Sequence, residues 1–109
     1  MAGASYINVV IPQTGVGTFK LDGAAVADTG TSSYNGTLYG ASGAVPIANA
    51  FHPFPFDATY AWAKFKVSSP ANHTLSSAVG FNAIAYSKTS STKFYIQLLY
   101  KQSFYLINI

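Results

Sequence analysis

The sequence contains no cysteine, no arginine and no glutamate, and only 8% of its 109 residues are charged. Without cysteine it can form neither a disulfide nor a thiolate metal site, and its redox compartment is left open. Its six lysines are scattered along the chain and exceed the three aspartates, for a net charge of +3. Nucleic-acid binders instead cluster basic residues on one face. We therefore expect no nucleic-acid partner.

Long apolar runs are also lacking. No stretch approaches the roughly 18–20 uninterrupted apolar residues of a membrane-spanning helix, so no membrane span is expected. Residues 1–5 carry neither the basic region nor the apolar core of a signal peptide. If the protein is exported, this chain corresponds to a part without the signal.

Aromatic residues are abundant: the chain has eight Phe, eight Tyr and one Trp, and half of its residues are hydrophobic. An average soluble domain carries about 25% charged residues. So little charge is typical of secreted and surface-displayed β-proteins, which rely on Ser, Thr, Asn and Tyr for their wet surface. With few charges, strand edges lack the charged side chains that oppose edge-to-edge pairing between molecules, so we expect self-association.

Alternation of apolar and polar residues predicts the strands. Residues 6–11 form a β-branched run that Pro12 ends, and residues 18–22 alternate up to the turn dipeptide Asp22-Gly23. Residues 60–67 and 72–86 alternate around a turn at 68–71, with a separate short element at Leu75. Small residues recur at every second position of these two runs: Ala61, Ala63, Ala83 and Ala85. Another part of the chain should therefore pack closely against one face of the sheet.

The remaining segments are predicted as follows. Residues 13–17 form a turn with two glycines, residues 28–50 form a loose hairpin turning at Asn35-Gly36, and residues 92–100 and 103–109 form two more strands. Residues 51–56 hold three aromatics between prolines, either as a stiff strap over the core or as a ligand-stacking platform. No segment has a sustained helical period.

The fold class expected is therefore all-β: a single-domain antiparallel β-sandwich over residues 1–109, with jelly-roll or immunoglobulin-like topology and six to nine strands. Residues 87–109 are the candidate for an exchanged or assembly-forming terminal segment.

Catalytic groups are scarce. The three aspartates are Asp22, Asp28 and Asp57, and two of them sit beside turn residues, so a glycosidase pair is disfavoured. No Gly-x-Ser-x-Gly elbow is present. His52 and His73 have no carboxylate or cysteine close in sequence and are interpreted as turn or packing residues, with a two-histidine metal site as the alternative. We expect no enzyme activity and no cofactor; calcium binding through backbone carbonyls and Asp or Asn oxygens stays open.

The order of several motifs resembles the repeat of IgGFc-binding-type N-terminal regions, which also occurs in surface proteins of Bacteroidetes-like bacteria. The motifs are the strand and Asp-Gly turn of residues 6–23, the aromatic-proline segment 51–56, the strand 60–67, the turn 72–77 with His73, and the strand 80–86. The resemblance covers about residues 6–86, and the tail from 87 departs from it. It implies an extracellular β-module for binding or adhesion without known chemistry, in which His73 is structural.

Two functions follow as expectations. The first is a non-catalytic extracellular or cell-surface module that binds protein or glycan at a surface, through the candidate ligand-binding residues Tyr34, Tyr39, Phe51, Phe54 and Phe56. The alternative is a self-assembling structural subunit of a fibre, filament or surface layer, joined by β-strand exchange. Its candidate assembly residues lie in the tail and are Phe94, Ile96, Leu98, Tyr100, Phe104, Tyr105, Leu106 and Ile107.

Overall fold

The computed structural model describes residues 4–27, 45–67, 71–88 and 94–109. These residues form eight strands: β1 (Ala4–Pro12), β2 (Lys20–Leu21), β3 (Val26–Ala27), β4 (Val45–Pro46), β5 (His52–Phe54), β6 (Asp57–Val67), β7 (Asn72–Lys88) and β8 (Phe94–Asn108). A one-turn helix α1 (Gln13–Val16) follows β1, and a 3₁₀ helix (Ile47–Ala50) precedes β5.

All pairings between the described strands are antiparallel, and they form a six-stranded sheet and a two-stranded sheet. In the large sheet the order is β2-β7-β1-β6-β5, and β8 also pairs with β7. The radius of gyration is 13.3 Å, close to the value of about 13 Å for one domain of about 100 residues. The prediction of an all-β, antiparallel, single-domain chain is confirmed. The β-sandwich and its jelly-roll or immunoglobulin-like topology stay predictions.

Alternation along the strands gives the large sheet an inner and an outer face. The alanines at 61, 63, 83 and 85 are all buried on the inner face, which confirms the prediction of small residues on one side. They leave room for Phe19, which is fully buried at the centre of the core. Its ring packs against Phe51, Phe65 and Phe81 at centroid distances of 5.1, 5.8 and 5.4 Å. Burial of these aromatic rings stabilises the fold.

The Asp22-Gly23 turn forms as predicted. Both residues have positive φ, 55° and 75°, which suits a two-residue hairpin turn of the primed type. Leu21 and Ala24 exchange backbone hydrogen bonds of 3.1 and 3.0 Å across it. The turn fixes the position of the Asp22 side chain near β7.

The predicted turn at residues 13–17 is wrong in detail, because residues 13–16 form helix α1. Gly15 is required for space: a Cβ there would lie 2.3 Å from Cγ2 of Val79. The Gly15 carbonyl also accepts a hydrogen bond from Ser77 Oγ at 2.9 Å. The helix is thereby fastened to β7.

The alternating β-run predicted over residues 72–86 is confirmed as strand β7, but the separate element at Leu75 and the turn at 72–77 implied by the resemblance are wrong. The two strands predicted in the tail are one strand, β8. These divisions were wrong because the register between β7 and β8 shifts around Phe81 without ending either strand. A bulge of this kind places extra residues in a continuing strand, so polar residues at 76–77 and 101–103 mimic turns in the sequence.

Of the predicted hairpin at 28–50, residues 45–50 form β4 and the 3₁₀ helix. The Asn35-Gly36 turn lies outside the described residues, as do residues 68–70 of the predicted turn between β6 and β7.

Candidate functional site

The outer face of the large sheet carries exposed apolar side chains next to polar ones such as Asn8 and Lys64. Strand pairing places Val10 of β1 between Trp62 of β6 and Asn82 of β7. Val10 and Ile84 are exposed, and Tyr60 is 45% exposed. Apolar surface that is continuous over several strands usually marks a binding or association surface.

A groove runs along one end of this face. It consists of two adjoining depressions of about 280 and 360 Å³ that share Val10, Tyr60 and Asn82. The first is completed by Pro12, Gly80, Phe81 and Lys101. The second is completed by Phe54, Phe56 and Asp57. Their sizes lie near the lower end of the range of about 300–1,000 Å³ found for ligand sites.

The turn between β5 and β6 provides the aromatic wall of the groove. Pro53 and Pro55 restrict the backbone here, and the rings of Phe54 and Phe56 lie 5.9 Å apart, centroid to centroid. Phe56 is 87% exposed. An aromatic ring held out on a proline-restricted turn presents a flat apolar surface at little cost in conformational entropy.

Polar side chains are spaced along the groove. Asp57 Oδ1 accepts hydrogen bonds from the backbone N–H and the hydroxyl of Thr59, which leaves Oδ2 to accept from a ligand. Asn82 Oδ1 accepts the backbone N–H of Lys101 at 2.8 Å, which leaves its amide nitrogen to donate. The groove thus combines a carboxylate and an amide with aromatic surface.

The bulge between β7 and β8 forms the other end of the groove. Lys101 has φ of 55°, an unusual conformation for a non-glycine residue. The hydroxyl of Tyr105 donates to the Phe81 carbonyl at 2.6 Å and accepts the Gln102 N–H at 2.8 Å. A Cβ at Gly80 would lie 3.2 Å from the Lys101 carbonyl oxygen. These contacts hold Asn82 and Lys101 in place, as bulges beside functional sites often do.

The exposed apolar side chains of the outer face continue onto β8, where Leu98 pairs with Ile84. Five side chains of β8, hereafter the β8 stripe, are 56–73% exposed: Ile96, Leu98, Tyr100, Phe104 and Leu106. Among the described strands, only β7 pairs with β8.

The structure divides the predicted ligand-binding residues. Phe54 and Phe56 line the groove, whereas Phe51 is buried in the core against Phe19. Tyr34 and Tyr39 lie outside the described residues. The sequence reasoning missed Val10, Tyr60 and Asn82, because only the pairing of β1 with β6 and β7 brings them together.

The predicted assembly residues are also divided. Ile96, Leu98, Tyr100, Phe104 and Leu106 form the β8 stripe. Tyr105 and Ile107 are buried in the core instead, since they face inward on the same strand. The backbone of Phe94 pairs with Lys88 at the start of β8.

The histidines do not form a common site. His73 is buried, and its Nδ1 lies 2.9 Å from Oδ2 of Asp22, fifty-one positions away in sequence. Its ring is thus a packing group with a carboxylate partner that the sequence reasoning missed. The ring of His52 lies 5.2 Å from that of Trp62, and partial burial lowers the pKa of His52 below its usual 6.5. Within the described residues, no group of three or more His, Cys, Asp or Glu side chains could hold a metal ion.

The helices within the described ranges are too short to cross a membrane. No protein-family model, no curated protein and no solved structure matches the chain. The resemblance to the IgGFc-binding-type repeat therefore stays a prediction.

Proposed function

We propose that the chain is a non-catalytic binding module, acting outside the cell or at a cell surface, that takes a glycan in the groove between β5, β6 and the bulge. The observation that carries the proposal is the pairing of exposed aromatic rings, Phe56 and Tyr60, with the polar groups of Asp57 and Asn82 in one groove.

The chemistry of a sugar ring fits this arrangement. One face of a pyranose is a patch of C–H bonds that packs on an aromatic ring, and its rim carries hydroxyls that both donate and accept hydrogen bonds. Asp57 Oδ2 can accept from such a hydroxyl, and the Asn82 amide nitrogen can donate to one. A mostly apolar depression with a few fixed polar groups is the usual form of a small-ligand site.

Electrostatics favour a neutral sugar. Asp57 lines one depression, whereas the ammonium group of Lys101, which lines the other, lies 5.3 Å from the centroid of the Tyr100 ring.

The test is a glycan array with the intact chain, followed by calorimetry with the best-bound glycan. Tyr60→Ala should weaken binding by about tenfold or more, as expected when a central aromatic contact is truncated. Tyr60→Phe should retain most of the affinity, because it keeps the ring.

Ile84→Ala is the matched control: Ile84 is 42% exposed on the same outer face, close to the 45% of Tyr60, but it does not line the groove. Binding by this variant should equal that of the unmodified chain. The proposal is overturned if no glycan binds above background, or if Tyr60→Ala binds as well as Ile84→Ala. If a glycoprotein that binds the chain still binds after its glycans have been removed enzymatically, the ligand is a protein instead.

A further inference from the structure

The β8 stripe lies on the outer face of the large sheet, where Leu98 pairs with Ile84, but none of its residues lines the proposed glycan groove. Each of its five large apolar side chains is more than half exposed. Side chains of this size present on the order of 100 Å² each in that state, so the stripe has on the order of 500 Å² of apolar surface, at the upper end of what a monomer usually exposes. A patch of this size is often a functional surface.

Strand β8 pairs with β7 of its own chain in this structure. Tyr105 and Ile107 are buried, in alternation with the outward-facing residues of the stripe, and the Tyr105 hydroxyl supports the bulge. Backbone hydrogen bonds between Ala71 and Ile109 continue the pairing with β7 past the end of β8. The outward-facing side chains of the stripe are therefore available to a partner without any rearrangement of the sheet, and the strand exchange expected from the sequence stays a prediction.

We propose that the stripe is covered by the stripe of a second copy of this chain, in an antiparallel contact about a two-fold axis. The proposal goes beyond glycan binding and does not depend on it.

Charge favours a second copy over a partner chosen by charge complementarity. Lys101 is the only Lys, Asp, Glu or Arg in β8, and its Nζ lies 5.3 Å from the centroid of the Tyr100 ring. The stripe has no carboxylate to attract a basic partner. The net charge of +3 gives little repulsion between copies.

Area and geometry agree with this choice. Two stripes packed together would bury about 1,000 Å², the lower limit for a specific interface. A two-fold contact requires a surface that complements itself, and an extended strand meets this requirement when two copies run antiparallel. Tyr100 lies in the middle of the stripe and would be nearest the axis, while Ile96 of one copy would face Leu106 of the other.

The experiment is sedimentation velocity of the intact chain over a wide range of concentration, with Leu98→Asp and Leu106→Lys as variants. The unmodified chain should show a monomer–dimer equilibrium. Each substitution places a charge where an apolar contact forms, so each should raise the dimer dissociation constant about tenfold or more. Both residues are over 60% exposed, so the folded monomer should persist, as checked by circular dichroism.

Phe56→Asp is the control, because Phe56 is exposed but lies in the groove rather than on β8. It should leave the dimer unchanged, whereas Leu98→Asp should leave glycan affinity per chain unchanged. The proposal is overturned by a chain that stays monomeric at the highest concentration. It is also overturned by a dimer that neither β8 substitution weakens.

Discussion

Strand β6 directs Phe65 to the inner face of the large sheet, where it is fully buried, and Tyr60 to the outer face, where it is 45% exposed. Both faces carry large apolar side chains, but the inner face is closed by Phe19, Phe51 and Phe81, whereas part of the outer face stays open. Apolar character alone therefore does not separate core from function in this chain. The separation comes from what packs on each face and from the polar groups placed beside it.

The largest effect is expected when the substitution of Phe by Ala is compared between the two faces. Phe65→Ala should lower the free energy of unfolding by about 3–5 kcal/mol, because it removes a buried ring and leaves a cavity. Phe56→Ala should change it by less than about 0.5 kcal/mol, since Phe56 is 87% exposed. Urea denaturation of both variants measures the contrast. Similar losses at the two positions would mean that the outer face is closed in solution.

An effect of intermediate size on the free energy of unfolding is expected at the contact between Asp22 and His73. Asp22→Ala removes a carboxylate partner of the buried imidazole and the acceptor of the Thr74 N–H at 2.9 Å. A loss of about 1–3 kcal/mol in the free energy of unfolding is expected.

Asp22→Asn is the matched variant, because asparagine tolerates the positive φ of this turn and keeps a carbonyl oxygen for Thr74. It should cost less than Asp22→Ala in the same denaturation experiment. Equal losses for Ala and Asn would assign the effect to the His73 contact alone rather than to turn and backbone together.

The smallest effect concerns His52, which is partly buried beside Trp62. Burial lowers the pKa of His52 below 6.5, so the unfolded chain binds this proton more readily than the folded chain. The free energy of unfolding should therefore fall slightly as pH decreases through and below 6.5.

Urea midpoints across that range, measured for the unmodified chain and for His52→Gln, isolate the effect, because the two chains differ only in this side chain. The difference between the two should shrink towards acid pH. A difference independent of pH would show that His52 is as solvated in the folded chain as in the unfolded one.

Local chemistry predicted much of the sheet. The β-branched run before Pro12, the alternation around Phe65 and the Asp22-Gly23 turn depend on neighbours within a few residues, and all three form as expected. Strand continuity across the bulge could not be predicted, since it depends on the hydrogen bond that Tyr105 donates to the Phe81 carbonyl and on the one that Asn82 accepts from the Lys101 N–H.

The groove was predictable only in part. Phe54 and Phe56 drew attention because prolines surround them, and they do line the site. Tyr60 and Asn82 are far apart in sequence and become neighbours only through β1, which lies between their strands. Asp22 and His73 are also far apart in sequence. They seemed to lack partners because a sequence shows only which residues are close along the chain.

The position of β1 between β6 and β7 has a consequence for synthesis. Its partners along the sheet are residues 60–67 and 82–88, so β1 leaves the ribosome long before either neighbour exists. At about 5–20 residues per second, residue 88 follows residue 12 by roughly 4–15 s. During that interval the valines and isoleucines of β1 have no strand to pair with. Pairings this distant also slow folding itself, so the nascent chain should depend on chaperones that shield its first strand until β7 arrives.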